Sequence, residues 1–261
     1  MAGTDDDLRL KVAISCRILG MLGLVNESTG HVSARVPGTQ EMLIRCRGGN
    51  EEGIMFTGVH NVRRTDFDGK GPGVGDLHAS PNETPIHGEI YRAKPQVGAV
   101  VHAHPYYALM CGMTELEYQP IFGGYDPSAL SIVLKGVPIY LTARTVTDKK
   151  QAADMLKAMG DRDVVLMRGH GISVTGPTVE AATTLAIKFD RLSRIMWEVA
   201  LSGRKPVLLT DEDMDRYGGD RPRNPGGWQD RIPGTGNFAW NHYVKQLSIS
   251  GIGLPDDLGA P

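Results

Sequence analysis

The sequence lacks most features of secreted and membrane-bound proteins. Its three cysteines are odd in number and show no CxxC spacing, so neither a disulfide framework nor a thiolate zinc site is expected. No apolar run approaches the roughly 20 residues that a membrane span requires. Residues 5–7 are three consecutive aspartates, in a region where a secretory signal would carry lysine or arginine. These absences predict a cytoplasmic protein that does not bind membranes.

Charge and motifs exclude further classes of protein. The formal net charge is −2 and no long block of one sign occurs, so no nucleic-acid partner is expected. The sequence has no GxSxG turn of a serine hydrolase and no GxxxxGK[ST] loop of a nucleotide-binding protein. With 261 residues, 41% of them hydrophobic and 22% charged, the chain is an ordinary globular protein that can bury a core.

Helix and strand patterns predict one layered domain in residues 1–203. Apolar runs typical of strands occur at residues 31–36, 42–45, 97–104, 137–141, 163–167 and 172–175. Helical spacing occurs at residues 6–22, 84–93, 148–159 and, most clearly, 177–201. Glycine-rich residues 47–82 are expected to be loop over much of their length. This order predicts an α/β fold with three α/β/α layers around a mainly antiparallel sheet.

The composition changes after about residue 204. Nine of the nineteen residues in 218–236 are glycine or proline, and Trp228 and Trp240 lie in or near this stretch. Such a segment is poorly suited to fold alone. Residues 204–261 are therefore predicted to form a C-terminal arm that packs on a neighbouring subunit.

Two histidines mark the end of the strand predicted at 97–104. His102 and His104 stand at i and i+2, so their side chains point to the same face of the strand, and Pro105 ends it. Two imidazoles so placed can bind one divalent ion, although two unrelated polar residues at a strand end would look the same. His170, between Gly169 and Gly171, would supply a third nitrogen ligand. Alone it would be consistent with an ordinary turn histidine, but together with His102 and His104 it favours the metal interpretation. Zinc suits histidine best, while manganese, iron and cobalt remain alternatives.

Glu83 lies just before the helix predicted at 84–93, and His87 lies in its first turn. Glu83 is interpreted either as a general base beside the metal or as a charge favoured by the helix dipole, and spacing alone does not decide. His87 lies one helical turn later and either faces the same cleft or is a partly exposed helix histidine.

The ordered motifs ETPIH (83–87), AVVHAHP (99–105) and RGHG (168–171) resemble the class II aldolase/adducin family. The segment STGHVSAR (28–35) resembles that family's first glycine turn and strand, and the similarity covers about residues 8–203. The resemblance implies an α/β/α fold and a homotetramer with sites at subunit interfaces. It also implies one divalent metal on His102, His104 and His170, with Glu83 as the acid/base.

The sequence departs from the family's sugar-phosphate aldolases where they bind phosphate. Gly30-His31, Arg47-Gly48 and Pro81-Asn82 replace small polar residues, which argues against a phosphate site. Arg45 or Arg47 would suit a planar carboxylate, unless these arginines are ordinary residues of a strand edge. At these positions the sequence resembles a branch of the family that decarboxylates hydroxylated aromatic acids such as 3,4-dihydroxyphthalate or a hydroxypyridine dicarboxylate.

The resemblance thus implies a lyase. We hypothesise that Glu83 or His87 is the catalytic residue that supplies the proton, and that His31 and Arg47 bind the second carboxylate of the substrate. An aromatic carboxylate is the expected partner molecule. A sugar-phosphate aldolase or epimerase of the same family is the first alternative. A non-catalytic scaffold of the adducin type is the second, although such a protein has no need to keep the three histidines and Glu83.

Overall fold

A computed structural model of the chain describes residues 5–75, 77–217 and 237–255. The strands are His31–Arg35 (β1), Glu41–Arg45 (β2), Arg47–Gly48 (β3), Val62–Asp66 (β4), His78–Ala79 (β5), Ala99–Ala103 (β6), Ile139–Tyr140 (β7), Val164–Met167 (β8) and Gly171–Gly176 (β9). Seven of them form one sheet in the order β4-β2-β1-β6-β9-β8-β7, and β3 pairs with β5 in a separate ribbon. All paired neighbours are antiparallel except β7 and β8.

The helices are Asp5–Met21 (α1), Thr84–Ala93 (α2), Tyr106–Met113 (α3), Pro127–Lys135 (α4), Lys149–Met159 (α5), Val179–Leu201 (α6), Asp211–Tyr217 (α7) and Phe238–Ile249 (α8). Side-chain caps fix several of the starts. The carboxylate of Asp148 accepts from the Gln151 N–H before α5, and the Thr178 hydroxyl accepts from the Ala181 N–H before α6. No helix in the described ranges is long and apolar enough to cross a membrane.

Alternation along the central strands produces three layers. In β6, Ala99, Val101 and Ala103 belong to the core that contains α1 and α6, whereas Val100 belongs to the core that contains α2 and α5. His102 follows the same alternation onto the α2 side. The predicted α/β/α fold around a mainly antiparallel sheet is therefore confirmed, and the face that carries His102 is the one covered by α2.

Residues 47–82 are loop over much of their length, as expected, but the sequence did not reveal β4. Its sequence, VRRTD, shows no alternation of apolar and polar residues, because β4 is an edge strand that pairs only with β2. Short 3-10 turns at Ile54–Phe56 and Val59–Asn61 and the small strands β3 and β5 occupy more of this region. Helices α3 and α4 were also missed from the sequence, since each has fewer than ten residues and offers little periodicity.

The described part of the C-terminal segment packs on its own chain. Trp240, Tyr243 and Leu247 of α8 are buried in the core shared with α1 and α6. Residues 218–236, including Trp228, lie outside the described residues. The domain boundary at residue 203 and a contact of the arm with a neighbouring subunit stay predictions.

A partly buried acid on α6 gives a prediction for stability. Burial raises the pKa of Asp190 from 3.8 to about 6, although Arg194 and Arg191 oppose the shift. The pKa of Asp190 is higher in the folded protein than in the unfolded chain. The contribution of its protonated carboxyl to stability is therefore fully present below the unfolded pKa, and it is lost as pH rises through about 6. We expect Asp190→Asn to raise the free energy of unfolding by roughly 1–2 kcal/mol near pH 7.5 and by much less near pH 4.5.

Urea denaturation at the two pH values measures this difference. Asp161→Asn is the control, because the Asp161 side chain is 84% exposed. An equal effect of Asp190→Asn at both pH values would show that desolvation of the charged carboxylate does not limit stability.

Candidate metal centre

His102 of β6 and His104 just after it point to the α2 side of the sheet, as the strand spacing predicts. His102 is fully buried and lies between His31 of β1 and Ser173 of β9 in the strand register. Its Nδ1 is 3.2 Å from Ser173 Oγ, which orients the ring and directs Nε2 toward Glu83. His104 follows the strand directly, with its Nε2 2.9 Å from Nε2 of His102. The two nitrogens therefore converge on one point.

His170 reaches the same point from the turn between β8 and β9. Gly169 has φ +62°, a conformation that side chains rarely adopt, and a Cβ at Gly171 would lie 2.3 Å from the Ala103 carbonyl oxygen. The two glycines thus let the turn approach β6. The His170 ring centroid lies 4.9 Å from that of His102 and 5.1 Å from that of His104.

Glu83 precedes the first residue of α2, but its side chain does not cap the helix. One carboxylate oxygen lies 3.3 Å from Nε2 of His102, and the other lies 3.3 Å from Nε2 of His170. The second oxygen also accepts a hydrogen bond of 3.1 Å from the Val146 N–H. These contacts support a role in the site rather than that of a charge that only stabilises the helix.

The four side chains fit a single divalent ion. One ligand atom from each of Glu83, His102, His104 and His170 lies within 4.8 Å of the others. Two imidazole nitrogens about 3 Å apart have the spacing of neighbouring ligands on one ion, since zinc–nitrogen bonds are about 2.0–2.1 Å long. A site with three histidines leaves positions open for substrate, as catalytic metal sites do.

The histidines also set the charge of Glu83. Burial alone would raise the pKa of this carboxyl, but hydrogen bonds from His102, His170 and His31 outweigh burial and hold the pKa well below its ordinary value. Glu83 therefore carries a negative charge beside the three histidines.

His31 lies in the site, and His87 lies behind it. Nε2 of His31 is 3.9 Å from a Glu83 carboxylate oxygen, and the ring stacks on His102 with centroids 4.9 Å apart. His87 is fully buried, and its ring nitrogens are each 2.6 Å from a partner, Nδ1 of His31 and Oγ of Ser33. The alternative of a partly exposed helix histidine is thus wrong for His87.

The two candidate arginines have different surroundings. Arg45 is 2% exposed and forms an ion pair with Glu51, so its guanidinium already has a carboxylate partner within the protein. Arg47 is exposed on the β3–β5 ribbon and donates a hydrogen bond of 3.1 Å to the carbonyl oxygen of Ser28. Ser28 lies in the turn just before His31, so the contact places Arg47 beside the strand that carries His31.

Four contacts of the site were missed from the sequence. Ser33 stands two residues after His31 on β1, and Tyr91 stands one helical turn after His87 on α2, so strand and helix spacing could have revealed both. Ser173 could have been found only from the pairing of β9 with β6. The Val146 N–H is a backbone group of a loop, and it carries no sequence signal.

The family profile described as "Class II Aldolase and Adducin N-terminal domain" matches residues 11–197. The chain belongs to the class II aldolase and adducin family. It is 36% identical over 245 residues to a 3,4-dihydroxyphthalate decarboxylase of Arthrobacter keyseri, which covers 93% of this chain and 94% of the relative. A 5-methylthioribulose-1-phosphate/5-deoxyribulose-1-phosphate aldolase of Rhodospirillum rubrum is 25% identical and covers 83% of this chain and 91% of that protein.

A solved structure supports the same fold. The aldolase II superfamily protein from Pseudomonas syringae superposes with a TM-score of 0.77 at 22% identity, covering 97% of this chain and 98% of that one. The family and fold predicted from the sequence are confirmed. The prediction of a carbon–carbon lyase is confirmed by relatives that are named as decarboxylases. The individual roles of the site residues stay predictions.

Proposed function

We propose that this class II aldolase family member catalyses the metal-dependent, non-oxidative decarboxylation of a hydroxylated aromatic carboxylate such as 3,4-dihydroxyphthalate, in aromatic-compound catabolism. The observation that carries the proposal is the Glu83 carboxylate among three imidazoles, with one ligand atom of each side chain within 4.8 Å of the others. The similarity to a named 3,4-dihydroxyphthalate decarboxylase over almost the whole chain supports this choice of reaction.

The hydroxyl groups near the site favour a carboxylate substrate over a sugar phosphate. The Thr29, Ser80 and Thr84 hydroxyls donate hydrogen bonds of 2.6–2.7 Å to backbone carbonyl oxygens of Asn26, Gly69 and Pro81. A hydroxyl has one proton to donate, so these groups are not free to bind phosphate oxygens. Arg47 remains exposed nearby, and its planar guanidinium suits a carboxylate.

The proposed reaction breaks one carbon–carbon bond without an oxidant. Carbon dioxide leaves, the bonding electron pair stays on the ring carbon, and a proton then replaces the lost carboxylate. A divalent ion held by His102, His104 and His170, zinc in first place and manganese or another transition metal as alternatives, would act as a Lewis acid for the negative charge that develops.

The chain's own residues handle the proton and the substrate's charges. We assign to Glu83 the removal of a proton from a substrate hydroxyl and its return to the ring carbon after carbon dioxide leaves. We assign His31 and Arg47 to the carboxylate that stays on the ring. A homotetramer and a cytoplasmic location, both predicted from the sequence, remain predictions.

The test compares carbon dioxide release from 3,4-dihydroxyphthalate and from its hydroxypyridine analogue with the cleavage of a ketose 1-phosphate. Release of carbon dioxide from either acid, without cleavage of the sugar phosphate, is expected. Cleavage of the sugar phosphate without decarboxylation of either acid would favour the aldolase alternative instead.

Arg47→Ala is expected to raise KM for the aromatic dicarboxylate about 10- to 100-fold with little change in kcat, because a charged hydrogen bond contributes roughly 1.5–3 kcal/mol. Steady-state kinetics measures the change. Arg162→Ala is the matched control, since Arg162 also donates to a backbone carbonyl but lies just before β8, at the end of that strand away from His170. An unchanged KM for Arg47→Ala would remove this residue from the binding site.

A further inference from the structure

A buried chain of hydrogen bonds leads from the metal centre into the space between the sheet and α2. It joins His31 to His87 at 2.6 Å, His87 to Ser33 at 2.6 Å, and Ser33 to Tyr91 at 2.7 Å. His31 is 3% exposed, and the other three side chains are at most 1% exposed. Only His31 approaches Glu83, so the roles of the other three residues must be exerted through it.

Tyr91 determines which group donates the proton in each hydrogen bond of this network. Within the described residues, the acceptor that its phenolic proton finds is Oγ of Ser33. If Ser33 donated to Tyr91 instead, the phenolic proton would be buried without an acceptor, which is costly. Tyr91 therefore donates to Ser33.

The donation from Tyr91 to Ser33 fixes the positions of the remaining protons. Ser33 donates its proton to Nδ1 of His87, so a neutral His87 carries its proton on Nε2 and donates it to Nδ1 of His31. A ring nitrogen that accepts a hydrogen bond carries no proton, so His87 and His31, which both accept at Nδ1, are neutral and each ring carries one proton. The proton of His31 is then on Nε2, the nitrogen that lies 3.9 Å from Glu83.

We propose that Tyr91, Ser33 and His87 are positioning residues that hold His31 as its Nε2–H tautomer, so that His31 presents a neutral hydrogen-bond donor to an anionic oxygen of the substrate beside Glu83. The identity of that substrate rests on the proposed decarboxylase function, but the tautomer does not. A neutral donor suits this position, because a cationic histidine stacked on His102 would repel a divalent ion. His87 thus acts through His31 and does not touch the substrate.

Nitrogen NMR of the full-length protein with 15N-labelled histidines tests the tautomer, both with the divalent ion bound and after chelation. Long-range 15N–1H correlations distinguish protonated from bare ring nitrogens, and His31→Gln and His87→Gln assign the signals. We expect Nε2–H for both residues. Nδ1–H on His31 in the wild-type protein would overturn the proposal, whether or not the protein decarboxylates any acid tested.

Activity measurements use a matched pair of tyrosines. The hydroxyls of Tyr118 and Ser193 are 2.8 Å apart in the core on the opposite face of the sheet, so Tyr118→Phe removes a comparable hydrogen bond away from the site. Tyr91→Phe is expected to mix the His31 tautomers and to lower kcat/KM about tenfold, the effect of one neutral hydrogen bond. Tyr118→Phe should change neither. Equal effects of the two variants on kcat/KM would contradict the proposal.

Substitutions of His87 separate positioning from packing. His87→Gln keeps an N–H donor for Nδ1 of His31, whereas His87→Leu removes it at similar volume. Gln is therefore expected to retain the Nε2–H tautomer of His31 and most of kcat/KM, and Leu to lose both. Equal losses in the two variants, or a retained tautomer in His87→Leu, would mean that His87 only fills space.

Discussion

Replacing His170 with alanine is expected to weaken divalent metal binding more than about a hundredfold and to abolish carbon dioxide release, because one of three nitrogen ligands is lost. His170 is the informative ligand to remove. It lies in a turn and is partly exposed, whereas His102 is fully buried in the sheet. Its loss should therefore leave the fold intact. Elemental analysis of the purified variant, with a thermal unfolding curve as a check on folding, measures the effect.

Two further variants are expected to affect metal binding less than His170→Ala does. Ser173→Ala removes the group that orients His102, and it should weaken metal binding about 10- to 100-fold without abolishing it. His242→Ala changes an exposed histidine of α8 and should leave metal content unchanged. Full metal content in His170→Ala would exclude His170 as a ligand.

Glu83→Gln is expected to keep the fold and the bound metal but to lower kcat about a thousandfold, because the amide cannot accept and return a proton. The change keeps the size of the side chain and the oxygen that can accept from the Val146 N–H. Single-turnover release of carbon dioxide, measured on protein of known metal content, separates this loss from a loss of metal.

The matched control for Glu83 is Glu89→Gln on the same helix. Glu89 pairs with Arg92 on α2 and, two residues after His87, lies on a different face of the helix, so its replacement should leave kcat unchanged. A kcat within a few-fold of the wild-type value in Glu83→Gln would show that another group moves the proton, and Glu83 would then lose the role of acid/base.

Short-range spacing predicted the parts of the site that lie on regular elements. The positions of His102 and His104 on one strand face follow from the two-residue period of a strand and from the proline that ends it. The two glycines around His170 indicated a close approach of the turn, and Gly171 does lie against the Ala103 carbonyl. The layered fold was predictable for the same reason, since its core strands and long helices are strongly periodic.

Contacts between elements that are far apart in the sequence determine the features that the sequence did not predict. Glu83 could have been a simple N-terminal charge of α2, and only its distances to His102 and His170 favour a role in the site. Strand β4 was missed because an edge strand need not alternate. The burial of His87 depends on how α2 packs across β1, which no local pattern encodes.

Titration of the metal-free enzyme with a divalent ion tests metal-dependent decarboxylation most directly. The chelated full-length protein should release no carbon dioxide from 3,4-dihydroxyphthalate. Activity should return in proportion to added Zn²⁺ or Mn²⁺ and reach a plateau at about one ion per chain, as expected for a single site with three histidine ligands. Undiminished release of carbon dioxide by protein shown to contain no metal would contradict the assignment of His102, His104 and His170 to a catalytic metal site.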